Sequence, residues 1–304
     1  AGFKALIKYA KEGNIDLFIQ NGISKLNKCM VDTAFDNYYN FLEKTLRLYK
    51  WMTKCNPQQL DCILDDKIIE FFYSIYRKPS NLICKSLIFR IFSNILSKSE
   101  IQFNSFINQG YHIRLIDIFW KHFAMIDESD EDSRVVSSIL KFLPVFYLNN
   151  DSILARDRHF FDQWNVAFTK CLKIENRFIT PALSESIRNC TNIENYVILS
   201  SFFLSVYFPT YFELCVHDDR KVRLNMISTF LNFKFLDAED LERIVQAGLF
   251  NIELNYDEIE PEEIFQFLNV MHEYLLKSLN IAEEVAFSRI IWELNNNGSF
   301  LDYE

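Results

Sequence analysis

An all-α solenoid of stacked three-helix repeats is the fold that this sequence predicts, and three observations carry the prediction. Only six glycines and six prolines occur in 304 residues, few for a sheet protein or a nucleotide-binding α/β fold, which need glycine at tight turns and phosphate loops. Hydrophobic residues make up 49 % of the chain, with thirty Phe and fourteen Tyr, enough for a continuous and bulky core. A unit of helix, polar break, short helix and turn residue also returns every ~44–46 residues, within the range that marks helical repeats.

Taken in order, the units begin with GNIDLFIQNGISKL, where Gly22 sits at a turn. The next unit is WMTKCNPQQLDCILDDKIIEFF, with Asp66 in the equivalent turn. The third is the most regular: LIFRIFSNILSKSEIQFNSFINQG reads as an amphipathic helix, a polar break and a short helix ending at Gly110, and YHIRLIDIFWKHF is the next helix. A blurred copy follows around SSILKFLPVFYLNNDS, where Pro144 interrupts the helix. SIRNCTNIENYV is an intermediate copy, and LNMISTFLNFKFLDAEDLERIVQAG carries the pattern to Gly248. EEIFQFLNVMHEYLLKS with EEVAFSRIIWELNNN forms a last, partial unit, and NNNGSFLDYE ends the solenoid. About six to seven repeats thus fill residues 1–304 as one domain.

Asn94 and Asn232 stand near the ends of their helices, each sixteen positions before a turn glycine, and Lys50 occupies the same place ahead of Asp66. Arg188 and Asn192 repeat the R-x-x-x-N-I spacing of Arg90, Asn94 and Ile95. On these residues the chain resembles importin-α-like armadillo proteins, in FSNILSKSEIQFNSFINQGYHIRLIDIF, TNI at 191–193 and LNFKFLDAEDLERIVQAGLF. The resemblance implies a right-handed armadillo solenoid whose third helices line a groove for an extended peptide. There a ladder of Asn side chains bonds the peptide backbone, because an amide offers both a donor and an acceptor. It places Asn94, Asn192 and Asn232 in that ladder, with Lys50 at a fourth position.

Four residues before each of these, where the family carries Trp slots for Lys and Arg stems, this chain has Leu46, Arg90, Arg188 and Ser228. Guanidiniums at Arg90 and Arg188 share a helix face with Asn94 and Asn192 and repel a basic localisation signal. They favour an acidic or mixed-sequence peptide, or neutralise carboxylates in the groove. Trp51, Trp120, Trp164 and Trp292 fall off this grid and are expected in the core. In a simpler role, each Asn only bridges adjacent repeats.

The net charge of −9 argues against nucleic acid as a partner, since that binding relies on clustered Lys and Arg. The acidic runs 127–132 and 257–263 read as solvated loops, and Ser129, set among carboxylates, is a candidate phosphorylation site. Cys29, Cys55, Cys62, Cys84, Cys171, Cys190 and Cys215 include no C-x-x-C pair and read as buried thiols of a reducing compartment. No signal peptide and no stretch of ~18 uncharged apolar residues occurs, so a soluble chain of cytoplasm or nucleus, without a membrane partner, is expected.

Glycine phosphate loops are absent from the sequence, and His112, His122, His159, His217 and His272 have no metal-ligand spacing. His217 in HDDRK, the best acid/base candidate, reads as part of a polar loop opening a helix. The expectation is a non-enzyme with no catalytic residue, metal, cofactor or small-molecule substrate. It binds a protein partner in its groove as an importin-α-like adaptor, with a link to nuclear transport. The alternative is a scaffold that assembles a complex through other helix faces.

Overall fold

The computed structural model describes residues 2–33, 39–77, 81–148, 158–192, 207–233, 243–244 and 260–280. The chain is 82 % helical, with no strand among the described residues, and is an all-α armadillo-like solenoid. It divides into two compact units, 1–164 and 165–304. Gly248, Trp292 and the tail from 281 lie outside the described residues.

In the first unit, α1 (Gly2–Lys11) precedes three repeats of a short first helix, a second helix and a third. These are α2 (Ile15–Asn21), α3 (Ile23–Thr33) and α4 (Tyr39–Met52); α5 (Pro57–Ile63), α6 (Asp66–Arg77) and α7 (Leu82–Leu96); and α8 (Glu100–Asn108), α9 (Tyr111–Phe123) and α10 (Asp130–Leu140). The short helices stop because the chain must turn sharply. Gly22 has φ 142° and Gly110 φ 69°, conformations that a β-carbon would strain. The middle repeat starts its second helix differently: Leu64 is extended, and Asp65 caps α6 by accepting the Ile68 N–H at 2.9 Å. The cap is therefore Asp65, and Asp66, expected in the turn, is the first residue of the helix.

Side-chain caps fix the other starts. Asn56 accepts from the Gln59 N–H at 2.8 Å beside Pro57, and Asn81 from the Ile83 N–H at 2.8 Å. Ser129 accepts from the Asp132 N–H at 3.2 Å. Ser129 is thus spent on opening α10.

Third helices stack on one another, α1 on α4, α4 on α7 and α7 on α10. Behind them lies an aromatic core in which Phe106 touches Phe92, Tyr76, Tyr111, Phe142 and Phe146 at centroid distances of 5.5–6.1 Å. Such pairs add ~0.5–1.5 kcal/mol each beyond area burial. Tyr76 also donates its hydroxyl to the Tyr111 carbonyl at 2.7 Å, tying two second helices together. Pro144 does not kink a helix; it opens α11 (Pro144–Leu148), where its missing N–H costs nothing. α12 (Arg158–Leu172) carries Trp164, fully buried against Phe119 and Phe160.

The second unit holds α13 (Ile179–Thr191), α14 (Phe208–Cys215), α15 (Arg220–Asn232) and α16 (Pro261–Asn280). α15 is its centre, packed on α13, α14 and α16. Phe230 stacks on Phe212 at 5.5 Å, and Asp219, in the HDDRK segment, caps α15 through the Lys221 N–H at 2.8 Å.

The acidic runs are exposed at 127–128, 130–131 and 260–262, as the solvated reading expects, but the last residue of each, Asp132 and Glu263, lies inside the protein. Asp132 is buried and paired with His122, whose Nδ1 lies 2.5 Å from its Oδ1. Glu263 is fully buried, its Oε1 2.6 Å from Arg220 Nε and its Oε2 2.9 Å from Arg223 Nε. A carboxylate needs such partners to leave water.

Candidate functional site

The ends of the third helices carry most of the residues singled out by the repeat grid. A helix leaves its last four carbonyls without intrahelical partners, and in α4 one of these belongs to Lys50. Asn94, near the end of α7, donates both amide protons backward: Nδ2 reaches the Lys50 carbonyl at 3.1 Å and Thr53 Oγ1 at 3.0 Å. The Thr53 hydroxyl proton goes to the Tyr49 carbonyl at 2.8 Å, so Thr53 must accept from Asn94. That orients the amide unambiguously.

Asn232 repeats this geometry in the second unit. Its Nδ2 donates to the Arg188 carbonyl and to Thr191 Oγ1, both at 3.2 Å, while Thr191 donates to Ile187. The sequence separations are 44 and 41 in both cases. The two amides therefore clamp the C-terminus of the preceding third helix, and among the described residues only Oδ1 is left to a ligand.

The same bonds place Arg188 in register with Lys50. Asn192, grouped with the ladder by its spacing, lies four residues later at the C-cap of α13 and is exposed. Arg90 and Ser228 are half-buried one turn before Asn94 and Asn232. Arg188 is half-buried, and its guanidinium donates to Asn189 Oδ1 at 3.1 Å. Leu46 is wholly buried and offers no surface to a ligand. The structure thus brings Lys50, Arg90 and Asn94 together in the first unit, and Arg188, Ser228 and Asn232 lie on α13 and α15 of the second.

One feature of this surface escaped the repeat grid. Trp51 is half-buried rather than core, and three ammonium groups surround its ring: Lys54 Nζ at 4.4 Å from the centroid, Lys50 and Lys11 at 5.1 Å each. Burial pushes the Lys50 ammonium down to about 8, helped by the charges of Arg90, Lys54, Arg47 and Lys11. The signal was present in KWMTK at 50–54, but Lys11 and Arg90 arrive from other third helices. Trp120 is also half-buried.

Elsewhere polar groups serve the fold. Lys85 Nζ lies 3.3 Å from His122 Nε2, and His122 and Asp132 complete a buried chain joining α7, α9 and α10. A neutral imidazole fits both contacts, accepting from the ammonium and donating to the carboxylate; burial lowers the His122 pKa. Cys84, Cys171, Cys190 and Cys215 are buried, whereas Cys62 is exposed. Among the described residues no cluster has metal-ligand geometry, and no helix is long and apolar enough to cross a membrane.

No known family profile matches the chain, and no curated protein matches it. Solved structures do. A designed armadillo repeat protein in complex with the peptide (KR)4 aligns with a TM-score of 0.55 and 16 % identity, over 76 % of this chain and 91 % of the other. Computationally designed armadillo repeat proteins for modular peptide recognition align at 0.57 and 14 % identity, over 80 % and 98 %. An engineered protein aligns at 0.58 and 12 % identity, over 97 % of this chain and 73 % of its own. At these identities the likeness establishes the armadillo fold.

Proposed function

We propose that residues 1–304 form one non-catalytic binding domain whose third helices hold an extended segment of a protein partner, in the manner of an importin-α-like adaptor. The observation that carries this reading is the repeated polar face at the third-helix ends. Asn94 and Asn232 are clamped in one orientation, each with an acceptor Oδ1 to offer, and half-exposed Arg90 and Ser228 lie one turn away. Within each unit, a fixed acceptor beside a second polar side chain on the same helix face suits the backbone of an extended peptide. Designed proteins of the same fold are described as made for peptide recognition, which supports the reading. The link to nuclear transport rests on the sequence resemblance, and the distribution of a tagged chain between cytoplasm and nucleus tests it.

A scaffold is the second reading, favoured by one specific fact: the Asn94 and Asn232 donors are spent between repeats. Photo-crosslinking separates the two. A benzoylphenylalanine at Ser228 on α15 should capture partner protein from lysate, and one at the exposed Lys121 on α9 should not. Capture from Lys121 alone would establish the scaffold instead.

A further inference from the structure

Lys11 ends α1, Lys50 and Lys54 flank the end of α4, and Arg90 comes from α7, so three stacked third helices deliver cations to one place. Arg47 is close enough to add to the field at Lys50, but it is paired with Glu43 at 2.8 Å. No described carboxylate pairs with Lys11, Lys50 or Lys54. Their contact is with the Trp51 ring, which attracts ammonium groups but carries no charge to neutralise them. Negative charge at helix C-termini accounts for a lysine at the end of α1 or α4. It does not account for a half-buried Lys50 held beside a second helix's arginine, in a protein whose net charge is −9.

We propose that Lys11, Lys50 and Lys54 around Trp51, with Arg90 of the next third helix, form a binding site for an acidic peptide segment of a partner protein, which rests on the third helices being the protein-binding face. Carboxylates on such a segment neutralise the cluster, and the lysine stems and indole give its side chains an apolar surface. A basic segment meets a ring already covered by the protein's own ammonium groups.

The occupant is a peptide rather than a nucleic acid for two reasons. Asn94, which bonds the Lys50 carbonyl itself, has only its acceptor Oδ1 to offer among the described residues. A peptide backbone supplies N–H groups to it, whereas a phosphodiester backbone has none. The overall charge of −9 also repels a long polyanion beyond this one cluster.

The test uses the full chain and four fluorescent probes followed by polarisation: a (DE)4 peptide, a (KR)4 peptide, a serine–glycine peptide and a single-stranded oligonucleotide. Binding of (DE)4 should exceed that of the other three by about tenfold or more and weaken with salt. The pair Lys50→Glu, Lys54→Glu should lose that preference by about tenfold, and so should Lys11→Glu, Lys54→Glu, in which both sites are exposed and folding is undisturbed. Lys121→Glu on α9 should change nothing. Equal binding of (DE)4 and the serine–glycine peptide, or unchanged affinity after reversal, overturns the proposal, and preference for the oligonucleotide replaces it with a nucleic-acid site. If (DE)4 fails while the crosslinker at Ser228 still captures a partner, only the acidic site falls; if both fail, the peptide-binding face falls with it.

Discussion

The side-chain amide of Asn94 donates to the carbonyl of Lys50 at 3.1 Å, 44 residues earlier and one third helix back. The bond closes an orphan helix-end carbonyl, and Asn232 makes its counterpart with Arg188. A residue type associated with ligand binding therefore also holds neighbouring repeats in register.

Removing this bridge should destabilise the protein as well as alter its surface. Asn94→Ala and Asn232→Ala should each cost about 1–3 kcal/mol, the penalty for an unmet, partly buried hydrogen bond. Asn192→Ala, at an exposed C-cap, should fall within about 0.5 kcal/mol of wild type. Urea midpoints at unchanged slope measure all three. A wild-type midpoint for Asn94→Ala would mean that the repeats hold together without the clamp.

Arg223 is the more exposed to damage. It reaches Glu263 through Nε at 2.9 Å and the carbonyls of His217 and Asp218 through Nη1 at 2.8 and 3.0 Å. Arg223→Ala leaves Glu263 fully buried with Arg220 alone, and a half-paired buried charge costs about 3–5 kcal/mol. The loss should appear in thermal unfolding of the second unit. Glu263→Gln together with Arg223→Met should recover part of it.

The buried Lys85, His122 and Asp132 chain sets an acid limit. Burial lowers the His122 pKa from 6.5 against the opposing pull of Asp132, while Lys85 and Lys121 push it the same way as burial. A depressed folded pKa means that the unfolded chain takes up the proton first. This contribution to stability is complete above 6.5 and is lost as pH falls through the folded value. Denaturant midpoints between pH 7.5 and 5 should therefore decline, and His122→Gln should flatten that decline. Parallel curves for the two proteins would count against the neutral imidazole.

The repeat was legible because a turn residue and a helix-end residue recur at fixed spacing, and sequence periodicity maps directly onto helix order. The register of Asn192 was not: R-x-x-x-N-I matches both Arg90 to Ile95 and Arg188 to Ile193, and only the bonds to Lys50 and Arg188 show which member is equivalent. Asp132 and Glu263 looked solvated because their partners lie 10 and 40 residues away, beyond any local pattern. Trp51 was misplaced for the same reason, since Lys11 and Arg90 reach it or its neighbour only through helix stacking.

Lys50 turns the proposed acidic site into a measurable proton event. Its pKa is pushed down to about 8, first by burial and then by Arg90, Lys54, Arg47 and Lys11, so near pH 8 a large share of the free protein carries it neutral. In the unbound protein this depressed value contributes stability that is complete above about 10.5 and is lost as pH falls from there through about 8. Carboxylates placed beside the ammonium favour its charged form and raise the pKa. Binding of the (DE)4 peptide at pH 8 should therefore take up a proton, and its calorimetric enthalpy should differ between buffers of different ionisation enthalpy. At pH 6 Lys50 is already protonated in both states, and the buffer dependence from this group should vanish. Lys50→Met should remove it at pH 8 as well. Buffer-independent enthalpy at pH 8 for a peptide that binds would place the carboxylates away from Lys50, on the outer pair Lys11 and Lys54.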